Sequence, residues 1–320
     1  MKARIDALQY CNWNRERFLE MQKGGLHAVH ATVCYHENFR ETEENIARWN
    51  DMFAEHEDLI MPGRCAEDVI EAQNSGRTAI FFGFQNCSPL EGDIRMIERC
   101  AQMGARFMQL TYNEQSLLAC GYTEESDGGV TRMGREVISE MNRVGMVIDL
   151  SHAGEKSAIQ GASLSRRPVA ITHATPSSWH PSPRGVSDDA LRALADNGGM
   201  LGLSLYPRHL KDGGECSLKS FCEMTAQTAT IIGADNIGIG SDLCRGQPAQ
   251  VLQWMRAGKW QKNPEPAGDF PNQPKWFESS EDFNNLATGL RETGFSEDET
   301  NGILGENWLR FFRSAFLPAS

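Results

Sequence analysis

Two histidines and one aspartate each follow a short apolar stretch of this 320-residue chain. His152 follows 146–151, His173 follows 168–172, and Asp242 follows 236–241. Neutral imidazole is the commonest protein ligand for zinc, and an aspartate beside such an ion can exchange a proton with a water molecule. The three residue types together predict a hydrolytic metal site, whereas one histidine alone would more often only anchor a loop.

These side chains can meet only if their strands lie in one parallel sheet. Short apolar stretches alternate with helical patterns along nearly the whole chain, and eight of them are predicted strands: 3–8, 26–33, 78–84, 105–111, 146–150, 168–172, 199–205 and 236–241. Eight such strands predict an α/β fold, a TIM-type (β/α)8 barrel formed by residues 1–320 as a single domain. The carboxyl ends of barrel strands converge on one face, where enzymes of this fold keep their active sites.

Several connections carry local signals of helix ends. Ser187 precedes two acids and a helical pattern that stops before Gly199, and Ser296 with Glu299 forms a capping-box pattern ahead of the C-terminal helix. The proline-rich segment 260–276 cannot be helical. It is a candidate lid or an ordered surface loop.

The charge and composition exclude several classes of partner. The formal net charge is −12, so nucleic acid and anionic membrane surfaces are unfavourable partners and a small-molecule substrate is expected. The sequence has no signal-peptide pattern and no apolar run of about 18 residues, which predicts a cytoplasmic protein. Its nine cysteines form no C-x-x-C pair and are expected to be reduced and buried in the core. Cys34 and Cys244 lie near the ends of predicted strands, so this expectation applies to them less firmly than to the other seven.

The stretch Gly129–His152 closely resembles the membrane (renal) dipeptidase family of metallopeptidases. Shorter matches are Leu110–Asn113, Ile171–His173, Gly238–Asp242 and Leu304–Arg310, so the likeness runs from near residue 80 to the C-terminus and is vague before that. The resemblance implies an α/β barrel with two zinc ions that hydrolyses dipeptides, and it suggests a homodimer.

The resemblance also implies roles for individual residues. His152 and His173 match the family's two histidine ligands of one zinc ion. Asp242 matches the aspartate that assists catalysis, and Arg184 matches the arginine that binds the substrate carboxylate.

Other family ligands are replaced. Where the family has Asp-Gly-His-Asn-Asp on its first strand this chain reads Asp6-Ala7-Leu8-Gln9-Tyr10, so both ligands of the other zinc are missing. The bridging glutamate falls on Gln85, the substrate-binding histidine on Tyr112, and a further aspartate on Cys244. Leucine cannot coordinate, and an amide oxygen binds divalent cations more weakly than a carboxylate.

We therefore expect zero or one zinc ion per chain, held by His152, His173 and the carbonyl of Gln85, with the second site lost. The chain is predicted to be a metal-dependent hydrolase of a dipeptide or other small amide, with Arg184 and Tyr112 binding the substrate. Two alternatives stay open, a metal-free enzyme acting on another small molecule and a catalytically silent ligand-binding barrel. His30 and Asp6 are further candidates for the site, depending on where their side chains point.

Overall fold

The computed structural model describes residues 2–316. This part of the chain contains nine β-strands and twelve α-helices. The strands are β1 (Ile5–Gln9), β2 (Ala28–Cys34), β3 (Ile60–Gly63), β4 (Thr78–Phe84), β5 (Ala105–Gln109), β6 (Val147–Asp149), β7 (Ala170–Ala174), β8 (Met200–Leu203) and β9 (Ile237–Ile239). The helices are α1 (Arg15–Lys23), α2 (Phe39–Glu55), α3 (Ala66–Ser75), α4 (Met96–Gln102), α5 (Arg132–Val144), α6 (Glu155–Leu164), α7 (Asp188–Asp196), α8 (Leu218–Ile232), α9 (Ala249–Ala257), α10 (Asn285–Glu292), α11 (Glu297–Asn301) and α12 (Asn307–Ala315).

Eight of the strands close into a parallel barrel surrounded by helices. Their order is β1-β2-β4-β5-β6-β7-β8-β9, and β9 pairs with β1 to complete the ring. These are the eight strands predicted from the sequence, so the (β/α)8 fold is confirmed. The ninth strand, β3, was not predicted. It pairs with the first half of β4, while β5 pairs with the second half.

Strands β6 and β9 are shorter than predicted, and buried carboxylates accept backbone hydrogen bonds where they end. Asp149 at the end of β6 accepts hydrogen bonds from Ser151 N at 3.0 Å and from Thr172 N at 3.1 Å. The chain leaves the ladder there, although the apolar pattern continues. β7 is shifted instead, so that His173 lies within the strand and does not follow it as predicted.

Both predicted helix starts are confirmed, but the C-terminal helix is interrupted. Ser187 and Ser296 accept hydrogen bonds from the first turns of α7 and α11. Between α11 and α12 the backbone makes a π-turn in which Gly305 departs from helical angles. A Cβ atom on Gly305 would lie 2.5 Å from Ala3 O, so glycine lets this turn approach the start of β1 closely.

Helix α12 covers the amino-terminal end of the barrel. Phe312 packs against Phe81 of β4, with ring centroids 4.9 Å apart, and Phe107 of β5 is 6.0 Å away. Trp308 donates its indole N–H to Ile239 O at 3.1 Å. Because aromatic side chains fill this end, the carboxyl end of the barrel is the open one.

The segment 260–276 has neither helix nor strand, as predicted, and is tied to α9. Gln253 bonds both Glu265 O and Ala267 N, at 3.0 Å and 2.6 Å. All nine cysteines are free and buried. No helix within residues 2–316 is long and apolar enough to cross a membrane.

The carboxylate of Asp6 on β1 fastens the end of β9 to the first strand. It accepts hydrogen bonds from Ser241 N at 2.7 Å, Ser241 Oγ at 2.5 Å and Gln9 Nε2 at 2.7 Å. The side chain is completely buried. Asp6 therefore turns into the barrel, where protein donors engage both of its oxygens.

Replacing Asp6 with alanine removes this buried acceptor. We expect Asp6→Ala to lower the free energy of unfolding by about 2–4 kcal/mol, because buried donors lose their partner. Urea denaturation measures the change. Asp51→Ala on α2, an exposed acid, is the control and should shift stability by less than about 0.5 kcal/mol. Equal effects of the two substitutions would contradict the structural role of Asp6.

Candidate functional site

A cavity of about 400 Å³ opens at the carboxyl end of the barrel. Its lining residues are Gln85, Tyr112, Asn113, Glu114, Tyr122, Thr123, His152, Ser182, Pro183, Arg184, Tyr206, Arg208, His209, Asp242, Cys244, Leu252, Met255 and Arg256. Five of the six site residues predicted from the sequence are among them. The sixth, His173, is fully buried directly beneath His152.

His152 and His173 meet through their Nε2 atoms, which are 2.9 Å apart. His152 Nδ1 faces Asn113 Oδ1 at 2.7 Å, and His173 Nδ1 faces Thr172 Oγ1 at 2.9 Å. Each ring is therefore fixed by a polar group on the side away from the other ring. Metal-binding histidines are commonly held in this way.

The hydrogen bonds determine which ring nitrogens carry protons. Thr172 Oγ1 donates to Asp149 Oδ2 at 2.6 Å, so its proton is committed and His173 Nδ1 must donate to it. Asn113 Oδ1 is an acceptor, so His152 Nδ1 donates as well. Both Nε2 atoms then keep a lone pair, and the two lone pairs face each other. In that state the two unprotonated nitrogens repel each other, and a cation that both can bind would relieve the repulsion.

The surroundings disfavour a proton as that cation. Burial, followed by the positive charge of Arg184, lowers the pKa of His152 and that of His173 well below the usual histidine value. Both imidazoles are therefore neutral near pH 7, which is the form that binds metal ions.

Asp242 projects from the loop after β9 with its backbone in the left-handed region, φ 56°. Burial raises the pKa of its carboxyl to about 7, although Arg184 opposes the rise. His152 and Asn113, on the same cavity, also have positive φ. Strained backbone of this kind is concentrated at functional sites, because it aims side chains where regular structure would not.

Arg184 extends from the loop after β7 toward the histidines. One of its terminal nitrogens donates to His173 O at 3.0 Å, and its buried Nε has no hydrogen-bond partner among the described residues. The guanidinium lies 5.8 Å from the centre of the Tyr122 ring. Burial lowers the pKa of Arg184, but the group stays a cation with donors left for an anionic ligand.

Aromatic rings fill the region next to the end of the first strand. Tyr10 contacts Tyr35, and Tyr35 contacts Tyr112, with ring centroids 4.7 Å and 5.1 Å apart. Gln85 donates its amide nitrogen to Tyr35 Oη at 2.8 Å and to Thr32 Oγ1 at 2.9 Å. Its carbonyl oxygen is thus the atom left for the cavity.

The described residues, 2–316, contain no group of three or more His, Cys, Asp or Glu side chains that could hold a metal ion. His30 does not line the cavity. It stacks on Phe107 inside the barrel and bonds Ala7 O through Nδ1. His27 and His36 do not line the cavity either: His27 accepts a hydrogen bond from Arg4 N, and the ring of His36 bonds Met255 O.

Sequence reasoning assigned no role to several residues that shape the site. Asn113 and Asp149 orient the two histidines, and His209, Arg208 and Arg256 line the cavity. An acid inside the apolar stretch Val147–Leu150 was a readable signal, because a buried carboxylate needs donors. The others lie on loops and on α9, where no periodic pattern indicates direction.

The sequence matches the family described as Membrane dipeptidase (Peptidase family M19) over residues 11–261, which reaches further toward the N-terminus than the resemblance described above. Dipeptidase tcpJ of Claviceps purpurea is 24% identical over 284 residues, 88% of this chain and 61% of that protein. Dipeptidase aclJ of Aspergillus oryzae is 26% identical over 281 residues, 86% and 61% of the two chains. The chain spans about three fifths of the length of these curated relatives.

Solved structures share the fold over nearly the full length of both chains. An amidohydrolase from Pseudomonas aeruginosa superposes with a TM-score of 0.93 and 34% identity, covering 98% of this chain and 97% of that one. A metallopeptidase from Rhodobacter sphaeroides, liganded with a phosphinate mimic of the dipeptide L-Ala-D-Ala, gives a TM-score of 0.83 at 16% identity, covering 98% and 99%. With a family match over most of its length, this chain belongs to the membrane dipeptidase family.

Proposed function

We propose that this protein is a metal-dependent hydrolase that cleaves a dipeptide or another small amide with at most one bound metal ion. The supporting observation is the pair of buried imidazoles of His152 and His173, whose Nε2 atoms are 2.9 Å apart and whose lowered pKa values keep both rings neutral near pH 7. A cavity of about 400 Å³ is large enough for a substrate of this size.

The residues present fit one ion and do not fit two. Two neutral imidazoles, each oriented through Nδ1, and the carbonyl oxygen of Gln85 offer nitrogen and oxygen donors that suit zinc. The first strand offers Leu8, which is fully buried and cannot coordinate, and Tyr10, which packs against Tyr35. We therefore propose one zinc site of reduced affinity, because its three ligands include no carboxylate to balance the charge.

An ion bound there would supply Lewis-acid polarisation of the substrate carbonyl. Arg184 bonds the substrate carboxylate through its free donors, and Tyr112 contacts the substrate from the aromatic side of the cavity. Asp242 accepts a proton from the attacking water and returns it to the leaving amine. A pKa of about 7 suits an acid that performs both transfers near neutral pH.

The aromatic rings around Tyr10, Tyr35 and Tyr112 favour one alternative, an enzyme that acts on another small molecule without a tightly bound metal. A silent ligand-binding barrel is the other alternative. The homodimer suggested by the resemblance and the cytoplasmic location predicted from the sequence both stay predictions.

Metal content tests the site directly. Protein purified without a histidine tag or added zinc should contain about one ion per chain or take one up on reconstitution, and both His152→Ala and His173→Ala should lose it. Asn113→Ala, which frees the His152 ring, should weaken binding by roughly 10- to 100-fold. Mass spectrometry of the metals measures both effects.

His27→Ala, which alters a buried histidine away from the cavity, is the matched control and should retain the ion. Two ions per chain would show that other residues complete a dinuclear site. No ion after reconstitution would overturn the metal-dependent proposal.

Steady-state hydrolysis of a dipeptide panel tests the reaction. We expect chelation to abolish activity and zinc to restore it. Arg184→Lys keeps the positive charge but loses the two-pronged contact with a carboxylate, so KM should rise about tenfold with a smaller change in kcat. Activity that persists after chelation would favour the metal-free alternative, and no turnover of any substrate would favour the binding protein.

Burial of Asp242 should make stability depend on pH in the metal-free protein. Its folded pKa, about 7, exceeds the ordinary value of 3.8, so between these values the native state holds a proton that the unfolded chain has released. Stability from this group is therefore present below about pH 4 and is lost as pH rises to about 7. Asp242→Asn removes that loss and should be more stable than wild type by about 2–4 kcal/mol at pH 8, with little difference at pH 4.

Urea denaturation in the presence of a chelator, at pH 4, 6 and 8, measures this difference. Asp51→Asn, an exposed acid on α2, serves as the control and should show no such trend. A stability difference for Asp242→Asn that does not vary with pH would show that the carboxyl titrates normally.

A further inference from the structure

The cavity contains more positive charge than one substrate carboxylate requires. Three arginines line it, Arg184, Arg208 and Arg256, against two acids, Asp242 and Glu114. The chain as a whole carries a net charge of −12, so this excess is local and opposite in sign to the rest of the molecule. Guanidinium groups that share a cavity repel one another unless an anion lies between them.

Arg208 is displayed on a fixed turn without a protein partner. It belongs to the short 3-10 turn Pro207–His209 after β8, is exposed, and makes no hydrogen bond or ion pair with residues 2–316. The turn itself is held in place, since His209 Nδ1 bonds Ser204 Oγ at 2.8 Å and His209 O accepts from Thr175 Oγ1 at 3.0 Å. The guanidinium is therefore positioned at the cavity with all of its donors available.

Arg256 approaches the same wall from α9. It donates one hydrogen bond to Ala267 O at 3.2 Å and is otherwise open to the cavity. Tyr206 lies within the electrostatic reach of both arginines: burial raises the pKa of its hydroxyl to about 12, and Arg256 and Arg208 oppose that rise. Arg208 and Arg256 thus line the same cavity as Tyr206, whereas Arg184 bonds His173 O beside the paired histidines.

We propose that Arg208 and Arg256 form a second carboxylate subsite, so that the preferred substrates are dianions: dipeptides or N-acylamino acids with an acidic side chain. The first carboxylate binds Arg184, and the second binds at the wall near Tyr206. The cleavage of such substrates rests on the proposed hydrolase function, whereas their binding does not.

Matched pairs of substrates test the preference. The kcat/KM values of Ala-Glu and Ala-Gln, and of Glu-Ala and Gln-Ala, compare a carboxylate with an amide of nearly the same shape. In at least one pair we expect kcat/KM to be roughly 10- to 100-fold higher for the acidic member than for the amide. This is the size of effect that a charge-assisted contact gives in a partly buried site. This ratio should fall about tenfold or more in Arg208→Gln and in Arg256→Gln, and it should shrink at high salt.

Two controls separate this role from general effects. Arg192→Gln removes an exposed arginine on α7 that pairs with Asp189, and it should leave the ratio unchanged. Gln253→Ala removes hydrogen bonds from α9 to the segment 260–276 without changing the charge. If Arg256 contacts the substrate directly, and does not act by holding that segment in place, Gln253→Ala should also leave the ratio unchanged. Equal rates for both members of each pair, or a ratio that survives in Arg208→Gln, would overturn the proposal.

Binding distinguishes this proposal from failure of the hydrolase function. If no dipeptide is cleaved after reconstitution with zinc, calorimetry with N-acetyl-L-glutamate and N-acetyl-L-glutamine still measures the subsite. Tighter binding of the glutamate that disappears in Arg208→Gln would support the subsite while the peptidase proposal fails. Equal binding of the two compounds, or none, would refute the subsite as well.

Discussion

The hydrogen bond from Thr172 Oγ1 to the buried carboxylate of Asp149 determines which nitrogen of His173 faces the cavity. Because the threonine proton is committed, His173 must donate through Nδ1 and present an unprotonated Nε2 toward His152. Asn113 orients the second ring in the same way. A cation would stabilise a neutral pair of imidazoles in this state, which is why the proposed metal site rests on this buried network.

Carboxylates at strand ends also connect the barrel to its loops. Asp149 and Asp6 each take over backbone hydrogen bonds where a strand stops, Asp149 between β6 and β7 and Asp6 between β1 and β9. The chain can then turn sharply, and His152 and Asp242 follow in left-handed conformations that aim them into the cavity. The free energy spent on burying these acids and straining these residues is offset by the large apolar core around the barrel.

The cavity combines an apolar side with a cationic one. Tyr10, Tyr35 and Tyr112 pack together beside Gln85, where first-strand ligands would need space and charge. Arginines from three different loops or helices line the remaining wall. Such a cavity suits a small anionic ligand, because its arginines supply positive charge beside an apolar surface.

The sequence by itself determined the barrel, since eight apolar stretches of strand length separated by helical patterns have few other ways to bury their surfaces. It also indicated His152, His173 and Asp242, because residues at the ends of parallel strands converge on one face, and the family resemblance indicated Arg184. Only the tertiary structure decided the short strand β3, the break near Gly305 and the location of His30 inside the barrel. It alone also placed the Nε2 atoms of the two histidines 2.9 Å apart and brought Arg208 and Arg256 to the lining of one cavity. These depend on contacts between segments far apart in the chain, which local residue patterns do not encode.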